Sequence, residues 1–209
     1  MSHAHGDHIS YGSLRVLARA GLPVCAEGRV IRQLRNRHCP EDWAHQPKLR
    51  QFPGGAFELG DFGVMPIEVP HAPGYPTFGF VIRARHGTAR RKIVVSTDLR
   101  DPCALLPHLI DADFIFIEAN HDLALLRQHP NPASRFHLNN VETTRLLCQA
   151  VLRAATPPRA VMLGHLSEER NSRRLAIDEV RKGFAHERVQ LRFDLDAAPA
   201  HKASPVIEV

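Results

Sequence analysis

No apolar run in this 209-residue chain approaches the roughly 20 residues that a membrane-spanning helix needs, so no membrane partner is expected. Cysteine is scarce and scattered. Cys25, Cys39, Cys103 and Cys148 form no CxxC pair, which argues against a zinc ribbon or a disulfide framework and for reduced thiols. With one tryptophan and two tyrosines, the chain also lacks the aromatic stripe on which single-stranded nucleic acid stacks. It opens Met1-Ser2-His3 without the basic and apolar regions of a secretory leader, so a cytoplasmic location is expected. Internal repeats and low-complexity tracts are absent. At 44% hydrophobic and 23% charged residues the composition is that of an ordinary globular domain, and disorder is excluded.

What the chain has in surplus is histidine: fourteen residues, three of them within the first eight. Histidine is the commonest metal ligand and titrates near neutrality, so this density points to metal or proton chemistry before packing. Lysine plus arginine exceed aspartate plus glutamate by 27 to 22, a balance that permits a polyanionic partner without requiring one.

Strand-like and helix-like segments alternate, which predicts an α/β domain. Helical spacing covers Ser10 to Ala20 and Glu27 to Arg37, with a short strand at Val24 to Ala26 between them and a polar, proline-bearing loop from there to Gly55. Strand composition then marks 56–59, 64–69, 77–85 and 92–96, an antiparallel-looking meander with a basic turn at 86–91. Beyond Asp98 the pattern predicts helices near 102–110, 123–128, 140–154 and 172–184, and strands at 114–117, 160–163 and 189–193. A frayed tail is expected from Asp194.

His3-Ala4-His5-Gly6-Asp7-His8 carries the chemistry. His3 and His5, on alternate residues, can face one ion, while Asp7 and His8 face a second, and the small Ala4 and Gly6 let the backbone bend between them. A two-metal site needs further ligands and an anion between the ions. His71, Asp98 and His165 each follow an apolar strand-like run, the position at which α/β folds place their chemistry.

HAHGDH at residues 3–8 resembles the HxHxDH signature of the metallo-β-lactamase fold, and His71, Asp98 and His165 follow in the order of that superfamily's remaining ligands. Glu118-Ala119-Asn120-His121-Asp122 and His165-Leu166-Ser167 with Asn171 are similar to segments of its WalJ/YycJ-type subgroup. The resemblance implies an αββα sandwich over residues 1–193, with 194–209 as a tail. It implies a first metal held by His3, His5 and His71, a second by Asp7, His8 and His165, and Asp98 as the bridge. Two divalent ions are expected, zinc first, with manganese or iron also suited to nitrogen and oxygen ligands. The implied reaction is hydrolysis by a metal-bound hydroxide that Asp7 orients.

The subgroup's implied substrate is a phosphodiester, DNA included, cut exonuclease-fashion. Basic runs at Arg83, Arg85, Arg90, Arg91 and Lys92, and at Arg170, Arg173 and Arg174, are candidate phosphate contacts. His121 and His137, between the bridging aspartate and the last ligand, are candidate catalytic proton donors, with a structural role for His121, capping the helix after Asn120 or bonding Asp122, open as the other reading. The stretch from Asp98 to His165 is too short for the large inserted domain of RNA-processing relatives.

In this fold the HxHxDH loop follows a first set of strands, whereas here it begins at residue 3. The chain therefore reads as truncated at its N-terminus, with His3 and His5 on a frayed end. Two other readings stay open: hydrolysis of a small ester, lactone or cyclic phosphate, and a non-catalytic metal-binding remnant. The oligomeric state has no sequence signal.

Overall fold

The computed structural model describes residues 1–38, 46–86 and 89–208. In chain order the elements are α1 (Tyr11–Arg19), β1 (Pro23–Ala26), α2 (Gly28–His38), β2 (Lys48–Gln51), β3 (Phe57–Leu59), β4 (Phe62–Val69), β5 (Thr77–His86) and β6 (Ala89–Ser96). They continue with α3 (Leu106–Leu109), β7 (Phe114–Glu118), α4 (Leu123–Gln128), α5 (Asn140–Arg153), β8 (Ala160–Gly164), α6 (Arg173–His186) and β9 (Asp194–Ala197).

The period-two alternation of the strands decides the layering. Val81, Val94, Ile115 and Val161 stand side by side across β5, β6, β7 and β8, and with Ile67 and Val69 they bury one sheet face against α3, α5 and α6. Phe78 and Phe80, on the opposite face of β5, pack into a second core with Leu14 of α1, Val24 and Ala26 of β1, and Val30, Ile31 and Leu34 of α2. β1 and β2 pair in parallel as a separate two-stranded sheet. The layers are thus helices, a seven-stranded sheet, a small sheet, and helices again.

The seven strands run in the order β3-β4-β5-β6-β7-β8-β9. β3 to β6 form the antiparallel meander, and β6 to β9 are parallel. Because β4 is two antiparallel steps from β6, β4, β6, β7 and β8 all point the same way, and their carboxyl ends share one sheet edge. Capping fixes the helices that follow. Asn139 and Glu142 form a capping box at α5, and the Ser172 hydroxyl accepts from Leu175 N at α6.

Three elements depart from expectation. β2 lies within the stretch read as loop; its mostly polar sequence Lys48-Leu49-Arg50-Gln51 hides it, and pairing with β1 plus packing of Leu49 and the adjacent Phe52 in the second core hold it in place. The last strand is Asp194–Ala197, in the expected tail, whereas 189–193 form no strand. Val189 and Phe193 serve the α6 side of the core, and Asp194-Leu195-Asp196-Ala197 pairs with β8. The helix expected at 102–110 is shorter, with only Leu106–Leu109 helical after a turn in which Leu105 N donates to Pro102 O (2.9 Å). The N-terminus is not frayed. Met1 N donates to the Cys25 carbonyl at 2.8 Å, and Ala4 and Ile9 are buried in the second core. Cys25, Cys103 and Cys148 are free thiols; Cys39 lies outside the described residues. No described helix is long and apolar enough to cross a membrane.

Candidate metal centre

Strand direction brings the predicted ligands together. His71 follows β4, Asp98 follows β6 and His165 follows β8, while residues 3–8 form the loop that leads into α1 at the same edge. Asp98 (φ 59°) and His165 (φ 52°) both hold left-handed backbone conformations, which Asp and His tolerate better than most residues at a cost on the order of 1–3 kcal/mol. Such strain falls at two of the ligand-type residues, each just past the end of its strand. Gly164 permits the second turn, since a Cβ there would overlap the Phe116 ring.

His3, His5, His71 and Asp98 offer four donor atoms within 4.8 Å of one another, and Asp7, His8, Asp98 and His165 offer four more. Asp98 belongs to both groups. His3 Nε2 lies 3.0 Å and His71 Nε2 lies 3.2 Å from His5 Nδ1, while His8 Nε2 sits 2.9 Å from Asp98 Oδ2 and His71 Nε2 sits 3.6 Å from Oδ1. All seven ligand-type residues read from the sequence converge.

The electrostatics fit cations. Burial pushes His3 down to about 3 and also lowers His5 and His71, so these imidazoles are neutral near pH 7, the form that ligates a metal. Burial alone would raise the Asp98 carboxyl. Contact with His8 and the charges of His165 and His3 outweigh it and hold Asp98 below the usual carboxylate range. His165 is pulled down by burial but hydrogen bonds to Asp7 and Glu118 carry it up to about 10, and the same His165 contact holds Asp7 at about 2.

One feature decides the fit. Asp98 is 1% exposed and ionised, yet neither carboxylate oxygen receives a well-directed hydrogen bond among the described residues. A buried carboxylate without donors is strongly disfavoured unless cations compensate it. Two histidine-rich groups share it, and their imidazole and carboxylate atoms suit borderline or hard divalent ions.

Sequence reasoning missed Glu118 as a working residue. It ends β7 with 0% exposure, and its Oε1 accepts from His137 Nδ1 (2.7 Å) and His165 Nδ1 (2.8 Å). Oε2 accepts from Leu99 N (3.2 Å) and Leu138 N (3.1 Å). Burial opposes its ionisation, but the bonds from His137 and His165 outweigh that and lower its pKa. A carboxylate only accepts, so each Nδ1 carries the hydrogen; the His165 Nε2 then donates to Asp7 in the metal-free protein and would ligate an ion only on losing that proton. The available signal was a lone acid closing an otherwise apolar strand, Phe114-Ile115-Phe116-Ile117-Glu118.

His137 stands beside the centre, its Nδ1 3.7 Å from Asp98 Oδ1, with no hydrogen-bond partner on Nε2 among the described residues. His121 belongs to no ligand group. It is buried, its Nδ1 is 3.3 Å from Asn120 Oδ1, and Asp122 rather than His121 caps α4. The basic run at 83–92 is not near the site. Arg83 faces Lys92 and Arg85 faces Arg90 across β5 and β6, toward the opposite end of the sheet. Six residues of strand separate Lys92 from Asp98, about 20 Å at roughly 3.3 Å each. Arg170 is tied to His129 O (2.6 Å) and Arg173 to Ala197 O (2.7 Å) and Asp196 (2.7 Å). These bonds commit both side chains to the fold.

A shared carboxylate flanked by two imidazole-rich groups at the carboxyl ends of mixed-sheet strands defines a metal-dependent hydrolase. The family model described as beta-lactamase superfamily domain matches residues 1–166, and the chain belongs to that superfamily. The solved structure of the metallo-beta-lactamase fold protein YhfI from Bacillus subtilis superposes with a TM-score of 0.64 at 21% identity, over 94% of this chain and 72% of that one. Yeast PDE1 gives 0.69 at 18% identity, over 95% and 65%. A diphosphatase from the PhnP family gives 0.62 at 18% identity, over 100% and 70%. The chain thus spans about two thirds of the length of PDE1. No curated protein matches the sequence.

Proposed function

We propose that the protein is a dinuclear metal-dependent phosphodiesterase or nuclease. The observation that carries the dinuclear reading is the Asp98 carboxylate, buried, ionised and without a well-directed donor, between His3, His5 and His71 on one side and Asp7, His8 and His165 on the other. Zinc suits this set best, and manganese or iron also fits. Divalent ions bound there would lower the pKa of water and neutralise charge developing on the scissile group.

The protein's own groups supply the rest. Asp7, the more exposed of the two ligand carboxylates, would orient an attacking water. His137 is the proton donor to the leaving oxygen: Glu118 fixes its Nδ1–H, which leaves Nε2 to carry and deliver a proton. His121, its Nδ1 turned to Asn120 Oδ1, falls outside the ligand groups. Structural neighbours that include PDE1 and a diphosphatase support phosphorus chemistry, and the 118–122 and 165–171 segments support the WalJ/YycJ-type subgroup.

The test is metal analysis together with turnover of bis-p-nitrophenyl phosphate. About two ions per chain and metal-dependent turnover are expected, and Asp98→Ala should lose both. Bound metal without turnover of any ester would support a non-catalytic remnant instead, and activity confined to lactones or carboxylic esters would replace the phosphodiester reading. Digestion of DNA by the active protein separates a nuclease from a hydrolase of small diesters.

A further inference from the structure

A polar cleft of about 570 Å³ opens beside the first ligand group, between α2 and the loop after β4, and His71 itself lines it. The sequence of α2 builds one wall. Val30, Ile31 and Leu34 are buried in the second core, so Arg29, Arg32, Gln33 and Asn36, spaced i, i+3, i+4 and i+7, share the face that lines the cleft. The wall is fastened to the metal centre. The Gln33 side-chain amide donates to the Gly74 carbonyl, Arg37 donates to the Tyr75 hydroxyl, and the Tyr75 ring lies 3.7 Å from the His5 ring, centroid to centroid.

Charge in the cleft is not balanced. Arg29 is committed to Glu68 through two hydrogen bonds of 3.0 and 2.8 Å, and to Glu27 at 3.1 Å. Arg32, one helical turn on, has no ion-pair partner among the described residues. An uncommitted guanidinium in a cleft of nucleotide size is suited to bidentate capture of a phosphate.

We propose that this cleft is a subsite for a second phosphate of the substrate, anchored by Arg32, a reading that rests on the phosphodiesterase assignment. The preferred substrate then carries a further phosphate beside the scissile one, as a polynucleotide or a 3′-phosphorylated nucleotide ester does. A small diester such as bis-p-nitrophenyl phosphate leaves the cleft unused.

The paired probes are the p-nitrophenyl ester of thymidine 5′-monophosphate and the same ester bearing a 3′-phosphate, assayed with the metal-loaded full chain. The 3′-phosphorylated ester should show a KM about tenfold lower at similar kcat, one charge-assisted contact's worth. Arg32→Ala should collapse that ratio to about one, Arg32→Lys should keep part of it, and Arg153→Ala, which removes an exposed charge from the end of α5, should leave it intact. Calorimetry with thymidine 3′,5′-bisphosphate against thymidine 5′-monophosphate reads the same preference without turnover. Equal affinity for the two in the unsubstituted protein, or a preference that survives Arg32→Ala, overturns the subsite. Failure to cleave any of these diesters, with the Arg32-dependent preference intact in calorimetry, removes the phosphodiesterase reading and leaves the anion subsite standing.

Discussion

Replacing Glu118 by glutamine changes one atom and should damage both the fold and the metal centre. The carboxylate accepts four hydrogen bonds, two from the Nδ1 atoms of His137 and His165 and two from the backbone of Leu99 and Leu138, at 2.7–3.2 Å. A carboxamide has one acceptor atom and one donor group. If its oxygen keeps the Leu99 and Leu138 amides, its NH₂ faces two histidine N–H groups; if it is flipped, the NH₂ faces the two amides. Either way two donors lose their acceptor at a site with 0% exposure, at about 1–3 kcal/mol each, or roughly 2–6 kcal/mol in total. The histidines can relieve the first arrangement only by keeping their hydrogens on Nε2 alone, which blocks the atom that His165 would offer an ion. Metal affinity should then fall by about 10–100-fold. Urea unfolding of the metal-free protein reads the first effect, and zinc competition against a chromogenic chelator reads the second. A variant within about 0.5 kcal/mol of the parent, with metal affinity within twofold, would refute the role given to Glu118.

Two further predictions concern packing and acid. Gly183 lies where a Cβ would overlap the Thr144 methyl between α6 and α5, so Gly183→Ala should destabilise by about 1–3 kcal/mol even though alanine favours helix by about 1 kcal/mol; a higher urea midpoint would show that the interface can yield. His3 titrates at about 3 in the folded chain against 6.5 unfolded, because burial disfavours its charged form. The unfolded state therefore binds more protons, and metal-free stability should fall as pH drops from about 6.5 toward 3. His3→Gln should flatten that slope, which equilibrium unfolding at a series of pH values measures.

Much of the centre was legible because ligand-type side chains interrupt apolar runs: His71 after Val69, Asp98 after Ser96, His165 after Gly164. Their convergence depends on strand direction, which comes from long-range pairing and has no local mark. Glu118 shows the difference. Its type and place at a strand end are visible in sequence, but its four donors come from residues 19 to 47 positions away. β2 and β9 were hidden for a simpler reason. Lys48 to Gln51 and Asp194 to Ala197 are short edge strands whose few apolar residues, Leu49 in one and Leu195 and Ala197 in the other, pack into the cores but are too few to mark a strand. Conversely Val189 and Phe193 alternate as a strand would yet satisfy a helix. The cationic run at 83–92 was visible as a cluster, while the end of the sheet it occupies follows only from the register of β5 on β6.

The seven ligand-type residues divide between two bodies. His3, His5, Asp7 and His8 belong to a segment seated in the second core by Ala4 and Ile9, and His71, Asp98 and His165 to the edge of the large sheet. Ions bound at Asp98 would act as a seam between them. Metal supply would thereby be coupled to the integrity of the small layer, since each tightly held ion would add RT ln(1 + [M]/Kd) to the free energy that keeps the first ten residues docked. Metal starvation would loosen that layer first, while the core of β4 to β9 with α5 and α6, which contains none of the first four ligands, keeps its packing.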